Sequence, residues 1–512
     1  MPIEISFPGV FIEEIPSGVH TIEGVSTSVA AFIGRSLRGP RQSPGSVGSF
    51  ADFVRSYGGL WAGSTLGYAV QQFFNNGGSQ AVVVRVHNAA AAARAVISEG
   101  GLGLIAADEG QWGNALRARV DVPAPGSGLF DLTVKDLGTG ASEVFEKLSV
   151  DPASPRFVGA ILAQESQLLR LDGAPPANPP PANAAPAAGD AFADSTATRF
   201  ADGSDGDDIT DTQVIGSLRL LDGADPVNLI LIPPLKRSGG DVGKATWDAA
   251  VAYAKSRRAF VIVDPPERWG TAGDVLDPRT GIGSVVTAAD NAAIYFPRVI
   301  ASDPLNEQQL ASFAPGGAIA GIFALTDRNA GVWKAPAGLQ AAVAGAADLS
   351  FGGTTNPGRL SDADEGLLNS AGINCLRNIP HAGTVVWGAR TLVGADILAS
   401  DWKYIPVRRL AFHIEDSIVR GTRWTVIEPN AEPLWAKLRL SVGAFMHSLF
   451  RQGAFQGETA KQAYFVKCDR DTMTQDDLDN GRLIVLIGIA TVKPAEFVII
   501  RIGLKSGSGQ PP

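Results

Sequence analysis

Residues that build metal centres and disulfide frameworks are scarce in this 512-residue sequence. It has two cysteines, Cys375 and Cys468, which excludes a disulfide-rich scaffold and a zinc site made of cysteines alone. It has five histidines, which are His20, His87, His381, His413 and His447. No two of them have the short spacing of paired metal ligands, so the sequence predicts no histidine-rich metal centre.

Positive charge is also in deficit. Lysine and arginine total 43 against 52 aspartates and glutamates, which gives a net charge of −9 at pH 7 and a pI of about 5.2. A broad surface for the phosphates of a nucleic acid would need the opposite balance. We therefore expect no nucleic-acid partner.

Long hydrophobic runs are missing as well. The longest apolar run, residues 483–492, is far too short to cross a bilayer, so we expect no membrane insertion. The first residues include Glu4, Glu13 and Glu14 in place of the basic and apolar regions of a signal peptide. We expect a protein assembled in the cytoplasm, with reduced thiols, that leaves the cell only by lysis or as part of a particle.

The sequence does contain enough apolar residues for packed domains. It is 45% hydrophobic and 19% charged, and at roughly 100–200 residues per domain its length predicts three or four domains. The 59 glycines and 33 prolines predict many turns and short elements. The expected fold class is mixed α/β and multidomain, with a discontinuous core domain, an inserted middle α/β domain, an outer and mostly β domain, and extended strand arms at both ends.

The N-terminal part predicts an arm at 1–22 and the first part of the core domain at 23–90. In the arm, residues 7–15 predict an extended strand that prolines bracket. In the core part, a helix should begin near Thr65, because the apolar residues that follow share one helical face. Residues 81–86 should form a buried strand.

Residues 91–205 differ in composition from the rest of the chain. They are rich in Ala, Gly, Pro and Asp, with short alternating apolar runs, and we interpret them as an inserted outer domain that is mostly β. Within them, residues 173–189 hold six prolines and no charge. Such a segment cannot bury enough apolar surface to become ordered, so we expect a mobile loop.

Residues 206–355 predict the middle domain, built on a βαβ unit. Strands at 227–232 and 259–263 flank a helix that Thr246 should cap and that should run to about Arg258. The short crossover predicts a parallel, right-handed pair of strands.

Residues 356–490 predict the second part of the core domain. A long helix over about 431–451 should be capped by Asn430. A strand at 483–490 should follow it, and a last strand is expected at 496–502.

Catalytic motifs are absent where an α/β enzyme would carry them. Ligands of such enzymes bind at the carboxyl ends of parallel strands. In this sequence the predicted strands are followed by Pro233-Pro234 and by Asp264. Prolines offer no N–H to a phosphate, and Asp264 fits a turn better than a catalytic role. Cys375 has His381 six residues away, but a buried structural thiol is commoner than a nucleophile. We predict no enzyme, no catalytic, cofactor-binding or metal-binding residue and no cofactor. A cytoplasmic α/β enzyme or ligand-binding protein is the alternative.

The C-terminal arm, residues 491–512, contains one of the most β-prone apolar stretches of the chain. This stretch consists of Phe497, Val498, Ile499 and Ile500. Each such side chain gains about 1.5–3 kcal/mol when buried, and a strand of this kind left unpaired is an aggregation template. The strand should therefore pair, either within its own domain or by completing the sheet of another subunit.

The helix predicted at 431–451 has two different faces. Large apolar residues cover a broad arc, whereas the opposite arc holds Lys437, Ser441, Ala444, Ser448 and Arg451. This second face is either solvated or rests on a neighbouring, acidic protein surface.

Several motifs resemble the tail sheath proteins of contractile phages, tailocins and extracellular contractile injection systems. They are PGVFIEEI at 8–15, FFNNGG at 73–78, AGIFALTD at 320–327, GVWKAP at 331–336, GINCLR at 372–377, WGARTL at 387–392, WKYIPVRR at 402–409, EPNAEPLW at 428–435 and VKPAEFV at 492–498. The resemblance runs along the chain, with residues 91–205 as the divergent part. One departure is APGGA at 314–318, where the family more often shows PPSGH.

The resemblance implies a structural subunit without enzymatic activity. Such subunits stack as sixfold rings into a helical cylinder around an inner tube, and contraction from a metastable extended state drives the tube through a target envelope. The implied partners are other copies of the chain, the inner tube protein, and baseplate and tail-terminator or cap proteins.

The resemblance also implies roles for particular residues. Strand arms of neighbouring subunits would join in a shared sheet, through Val10, Phe11 and Ile12 at one end and Phe497, Val498, Ile499 and Ile500 at the other. The helix at 431–451 resembles the one that faces the tube. Its second face therefore supplies the candidates for contact with the tube, which are Lys437, Ser441, Ala444, Ser448 and Arg451.

Overall fold

The computed structural model describes residues 20–40, 42–97, 101–184, 190–355 and 358–497. The chain divides into two compact units. The body unit comprises Ser26–Asn329 and Pro336–Ile405, and the C-terminal unit comprises Met1–Val25, Ala330–Ala335 and Pro406–Pro512.

Strands and helices alternate along most of the chain. The strands are β1 (Ala30–Gly34), β2 (Gly45–Val47), β3 (Ala81–Arg85), β4 (Arg94–Ile97), β5 (Leu102–Ala106), β6 (Leu116–Asp121), β7 (Phe130–Asp136), β8 (Ser142–Leu148), β9 (Leu169–Leu171), β10 (Thr198–Arg199), β11 (Leu229–Leu231), β12 (Phe260–Val263), β13 (Ala292–Phe296), β14 (Arg298–Asp303), β15 (Gln309–Phe313), β16 (Ala346–Ser350), β17 (Asn374–Ile379), β18 (Gly383–Val386), β19 (Tyr464–Lys467) and β20 (Leu486–Ile489). The helices are α1 (Phe50–Tyr57), α2 (Leu66–Asn75), α3 (Val158–Glu165), α4 (Asp211–Ser217), α5 (Lys244–Ser256), α6 (Ala272–Leu276), α7 (Ile282–Val285), α8 (Gly316–Ala330), α9 (Asp362–Ser370), α10 (Ile405–Gly421), α11 (Glu432–Arg451), α12 (Ala460–Ala463) and α13 (Gln475–Asp479). The mixed α/β fold class is thus confirmed.

An eight-stranded sheet forms the centre of the body unit, in the order β18-β17-β13-β12-β11-β1-β3-β2. The strands from β17 to β3 run parallel, and β18 and β2 are antiparallel edge strands. Every residue of β1 is buried, with Ala31 and Ile33 in the apolar cluster on one face and Ala30 and Phe32 in the cluster on the other. Because both faces of the sheet are covered, the sequences of its central strands are nearly continuous apolar runs.

Several local predictions are confirmed in this sheet. Helix α2 begins directly after Thr65, β3 matches the predicted buried strand, and β11 and β12 form a parallel pair with α5 between them in sequence. The predicted cap of α5 is wrong. Gly243 occupies the N-cap, whereas Thr246 lies buried in the first turn and donates its hydroxyl hydrogen to Asp211 Oδ1 at 2.6 Å.

The central sheet takes strands from three of the predicted segments, namely 23–90, 206–355 and 356–490. A smaller antiparallel sheet has the order β15-β14-β16, and its first strand, β14, follows β13 directly in sequence. The division of the chain into domains at residues 206 and 356 stays a prediction.

The segment predicted as the outer domain contains two antiparallel sheets, β10-β6-β7-β8 and β4-β5-β9, around a shared apolar cluster. Part of the loop expected at 173–189 is attached to β6. The Asn183 N–H donates to the Val120 carbonyl oxygen at 2.9 Å, and the Val120 N–H donates to Asn183 Oδ1 at 2.8 Å. Residues 185–189 lie outside the described residues.

The C-terminal unit contains α10, α11 and the two-stranded antiparallel sheet β19-β20. Helix α11 confirms the long helix predicted at 431–451, but its N-cap is Ala431 and not Asn430. Asn430 instead accepts a hydrogen bond from Trp435 Nε1 at 2.8 Å through its Oδ1. Strand β20 lies inside the strand predicted at 483–490.

Two of the predicted strands lie wholly or mainly outside the described residues. The strand at 7–15 is one of them, and of the strand at 496–502 only Glu496 and Phe497 are described, without regular structure. In the described ranges no helix combines the length and apolar character needed to cross a membrane.

Candidate assembly interface

Helix α11 has a buried side that anchors it in the C-terminal unit. Towards its start, Leu434, Trp435 and Leu438 pack in a cluster with Cys468 and Met473. Further along, a second cluster joins the helix to α10, and its α11 members are Val442, Phe445, Met446 and Leu449. At about 1.5–3 kcal/mol for each large apolar side chain, this burial holds the helix in place.

The opposite side of α11 is exposed and carries four of the five candidate contact residues. Lys437, Ala444, Ser448 and Arg451 are exposed. In the described ranges neither Lys437 nor Arg451 forms an ion pair, and both side chains are open to solvent. We call these four residues the outer face of α11.

Ser441 does not share this outer face. It is only 1% exposed, and its Oγ has no hydrogen-bond partner within the described residues. Leu440, which the helical wheel places at the side of the arc, is 54% exposed instead. Sequence periodicity therefore located the exposed side but misjudged one flank of it.

The sheet β19-β20 has one packed face and one exposed face. Its pairs are Tyr464 with Ile489, Phe465 with Gly488, Val466 with Ile487 and Lys467 with Leu486. Alternate residues Tyr464, Val466, Ile487 and Ile489 pack against the α10–α11 cluster. On the other face Phe465 is 47% and Leu486 50% exposed.

Both long edges of this sheet lack a further strand in the described part of the chain. A strand edge presents N–H and C=O groups that an additional strand can pair with. The arm residues expected to do so are mostly outside the described residues, namely Val10, Phe11, Ile12, Val498, Ile499 and Ile500. Phe497 is described and is 75% exposed.

The crevice where α/β enzymes bind ligands is nearly filled in this protein. At the carboxyl ends of β11 and β12 the described residues leave a cavity of about 10 Å³, lined among others by Pro233, Pro234 and Asp264. Small-molecule sites are typically about 300–1,000 Å³. Asp264 is more than a turn residue, because its Oδ1 accepts a hydrogen bond from the Gly316 N–H at 2.7 Å at the start of α8, and burial raises its pKa to about 7.

The other groups considered for chemistry are structural. Cys375 is buried, and burial raises the pKa of its thiol to about 12, which keeps it protonated and weakly nucleophilic. Burial likewise raises the pKa of Cys468 to about 11. Within the described ranges no group of three or more His, Cys, Asp or Glu side chains is placed to hold a metal ion.

Comparison with known proteins gives one family and several relatives. Residues 399–505, which include α10, α11, β19 and β20, match the phage tail sheath C-terminal domain. A protein of Pseudomonas aeruginosa strain UCBPP-PA14 described as a prophage major tail sheath protein is 27% identical over 289 residues, or 55% of this chain and 67% of that protein.

Solved structures with a similar fold cover nearly the whole chain. The helical sheath of the anti-feeding prophage in its contracted state has a TM-score of 0.59 and 21% identity over 98% of this chain and 99% of that one. The sheath complex of the extracellular contractile injection system PVC, also contracted, has a TM-score of 0.58 and 21% identity over 99% of this chain and 100% of that one. A sheath tail protein of Listeria innocua has a TM-score of 0.62 and 13% identity over 92% of this chain and 96% of that one. At these identities the likeness concerns the fold.

Proposed function

The resemblance to contractile tail sheath proteins is confirmed in sequence and in fold, and on that basis we propose that this chain is the structural subunit of a contractile tail sheath. It polymerises with its own copies into a sixfold helical cylinder around an inner tube. Contraction from a metastable extended state then drives the tube through a target envelope. Baseplate and tail-terminator or cap proteins are the further partners, and assembly takes place in the cytoplasm.

The observation that carries this proposal is the incomplete sheet β19-β20. A two-stranded sheet alone in water is marginally stable, and this one also exposes Phe465 and Leu486 on its outer face. Its packed face is fixed on the α10–α11 cluster, so the sheet is held in place to accept further strands. Added strands would pair with its edges and shield its outer face.

The occupants we propose are the terminal arms of neighbouring copies. Phe497 is already exposed where the described chain ends, and the next residues, Val498, Ile499 and Ile500, continue the same β-prone run. Val10, Phe11 and Ile12 supply an equivalent run near the other end. Each apolar side chain buried this way contributes about 1.5–3 kcal/mol. Strand addition of this kind links subunits through backbone hydrogen bonds.

Linkage by arms explains how subunits can reorient without separating. A contact between two different surfaces of identical copies generates an open helical assembly when its rotation does not close. Two packings of such copies that differ by a few kcal/mol give a bistable polymer, and the difference adds over all subunits. A motor of this type needs no nucleotide.

Deleting residues 498–512 tests the linking role of the C-terminal arm. The deletion removes a strand that, on this proposal, belongs to another copy's sheet, so we expect folded, soluble monomers that form no hollow cylinders in negative-stain microscopy. The matched control deletes only 506–512, the Gly/Ser/Pro tail beyond the apolar run, and should polymerise normally. Normal cylinders from the longer deletion would contradict the proposal. Loss of folding would contradict it too, because the strand would then belong to its own subunit.

The outer face of α11 is the surface we propose for contact with the inner tube. Reversing both charges, with Lys437→Glu and Arg451→Glu, should abolish co-assembly with the tube while contracted sheath without a tube still forms. Lys461→Glu with Arg470→Glu makes the same change in net charge at exposed positions outside α11 and serves as the control. Equal loss of co-assembly in both double variants would show that net charge, and not this face, is responsible.

A further inference from the structure

Arg298 is a buried cation whose Nε has no hydrogen-bond partner among the described residues. It begins β14, is only 4% exposed, and in the part of the chain that the structure describes its side chain makes neither a hydrogen bond nor an ion pair. A guanidinium carries five N–H donors. The Nε of Arg298 is buried and unsatisfied, which is unfavourable, so an acceptor for this N–H is expected.

The cavity that Arg298 lines contains two acceptors without a full set of donors. Gln72, from α2, lines this cavity and a neighbouring one of about 220 Å³, and its buried Oε1 is reached by no described donor. Asp264, at the end of β12, receives one hydrogen bond at Oδ1 from the Gly316 N–H, and its carboxyl group has capacity for more. Three separate elements thus direct unsatisfied polar groups to one place.

The remaining polar groups around the cavity are already engaged. Tyr68 donates its hydroxyl hydrogen to Asp303 at 2.9 Å, and Arg237 donates to the other oxygen of Asp303 at 2.8 Å. Thr65 donates to the Pro234 carbonyl oxygen, and the hydroxyl groups of Ser312 and Ser350 share a hydrogen bond at 2.7 Å. They leave Arg298, Gln72 and Asp264 as the groups that need a partner.

We propose that a single internal water molecule occupies this cavity, accepts a hydrogen bond from Arg298 and donates to Gln72 Oε1 and to the Asp264 carboxyl group. The available volume, about 10 Å³, is close to the minimum that holds one water. One donor group and two acceptors match the bonding capacity of water. An anion would meet the two oxygens directly, and its repulsion from them disfavours it.

This water joins α2, β12 and β14 at the carboxyl edge of the central sheet. It occupies what is left of the crevice in which other α/β proteins bind a ligand. Buried waters with about three hydrogen bonds are integral parts of a structure and are costly to remove. The site concerns the body unit and is independent of the proposed function.

A structure of the full chain at a resolution that shows ordered waters tests the proposal directly. We expect one peak within hydrogen-bond distance of Arg298, Gln72 and Asp264. A cavity without a peak, or an Arg298 side chain in direct contact with Asp264, would overturn the proposal. Crystals soaked in bromide provide a second arm, because a halide in the cavity would give anomalous signal there and would show that the site takes an anion.

Stability measurements provide a test in solution. Arg298→Met and Gln72→Met each remove one partner of the same water, so their effects on the urea midpoint should be non-additive, with the double variant losing clearly less than the sum of the single losses. Gln71→Met is the matched control, because Gln71 lies next to Gln72 in α2 but does not line the cavity. Its effect should add to that of Arg298→Met. Additivity in both pairs would contradict the shared water, and if Arg298→Met fails to fold, the crystallographic result decides.

Discussion

Asp264→Asn should make the body unit more stable at neutral pH and remove part of its pH dependence. Burial raises the pKa of Asp264 from 3.8 to about 7, although the Gly316 N–H and the positive charge of Arg298 act in the opposite direction. The folded chain therefore holds this proton more tightly than the unfolded chain does. The contribution of Asp264 to the free energy of unfolding therefore falls as pH rises from 3.8 to about 7 and is constant above that.

The size of the effect follows from the pKa difference. Each pKa unit corresponds to about 1.4 kcal/mol, so the rise from 3.8 to about 7 lowers the free energy of unfolding by roughly 4–5 kcal/mol above pH 7. Asparagine does not titrate, and its Oδ1 still accepts from the Gly316 N–H. The stability gain of the variant should thus be near zero at pH 4 and grow by about 1.4 kcal/mol per pH unit to its limit near pH 7.

Urea denaturation of wild type and variant between pH 4 and pH 8 measures this difference. The fluorescence of Trp247 and Trp269 reports on unfolding, because both side chains are almost fully buried in the body unit. Asp401→Asn removes the same charge from an exposed side chain and controls for net charge. Parallel profiles for wild type and Asp264→Asn, or a variant less stable at pH 8, would refute the reasoning. Such a result would mean that the start of α8 and Arg298 stabilise the carboxylate more than burial destabilises it.

Two further substitutions test the description of individual side chains. Ser441→Ala should raise the free energy of unfolding by about 1 kcal/mol, because it removes a buried hydroxyl without a partner in the described ranges and improves helix propensity. Ser448→Ala, on the exposed side of the helix, is the control and should have a smaller effect. A loss of stability in Ser441→Ala would show that the hydroxyl is satisfied. Asp303→Asn should lower the free energy of unfolding by about 1.5–3 kcal/mol at pH 7, since it weakens the charged hydrogen bond with Arg237. Burial acts to raise the pKa of Asp303, but hydrogen bonds from Arg237, the Leu305 N–H and Tyr68 lower it below 3.8. Its contribution is therefore present above pH 3.8 and lost below that, so the two urea midpoints should converge in acid, and a constant difference would contradict this account.

Elements whose signal is local could be predicted from the sequence. Helix α2, strand β3, the β11–α5–β12 unit and helix α11 each combine a clear period with nearby turn residues. The parallel pairing of β11 with β12 follows from the length of the crossover alone. Assembly of the whole sheet could not be predicted in this way, since the pairing of β13 with β17 bridges a long stretch of chain that includes another sheet.

The errors in the helix caps arose where another side chain engaged the polar residue. Thr246 and Asn430 both stand near a helix start and have side chains suited to capping, but Asp211 engages the first and Trp435 the second. A helical wheel placed Ser441 on the solvent side, yet its position is covered in the folded unit. The wheel gives the direction of a side chain and carries no information on which neighbouring element packs over it.

The two apolar clusters of the C-terminal unit take all their described members from residues up to Ile489. The α10–α11 cluster takes Ile22 from the N-terminal part and Ile489 from β20, and the cluster at the start of α11 takes Leu483 and Val485. Of the described residues after 489, none belongs to either cluster. Among the described residues, Ile489 is thus the last to join this core, ahead of the apolar run that starts at Phe497. On the proposal that this run belongs to another copy's sheet, its deletion leaves both clusters intact, so a loss of cylinders after the deletion would report on contacts between copies.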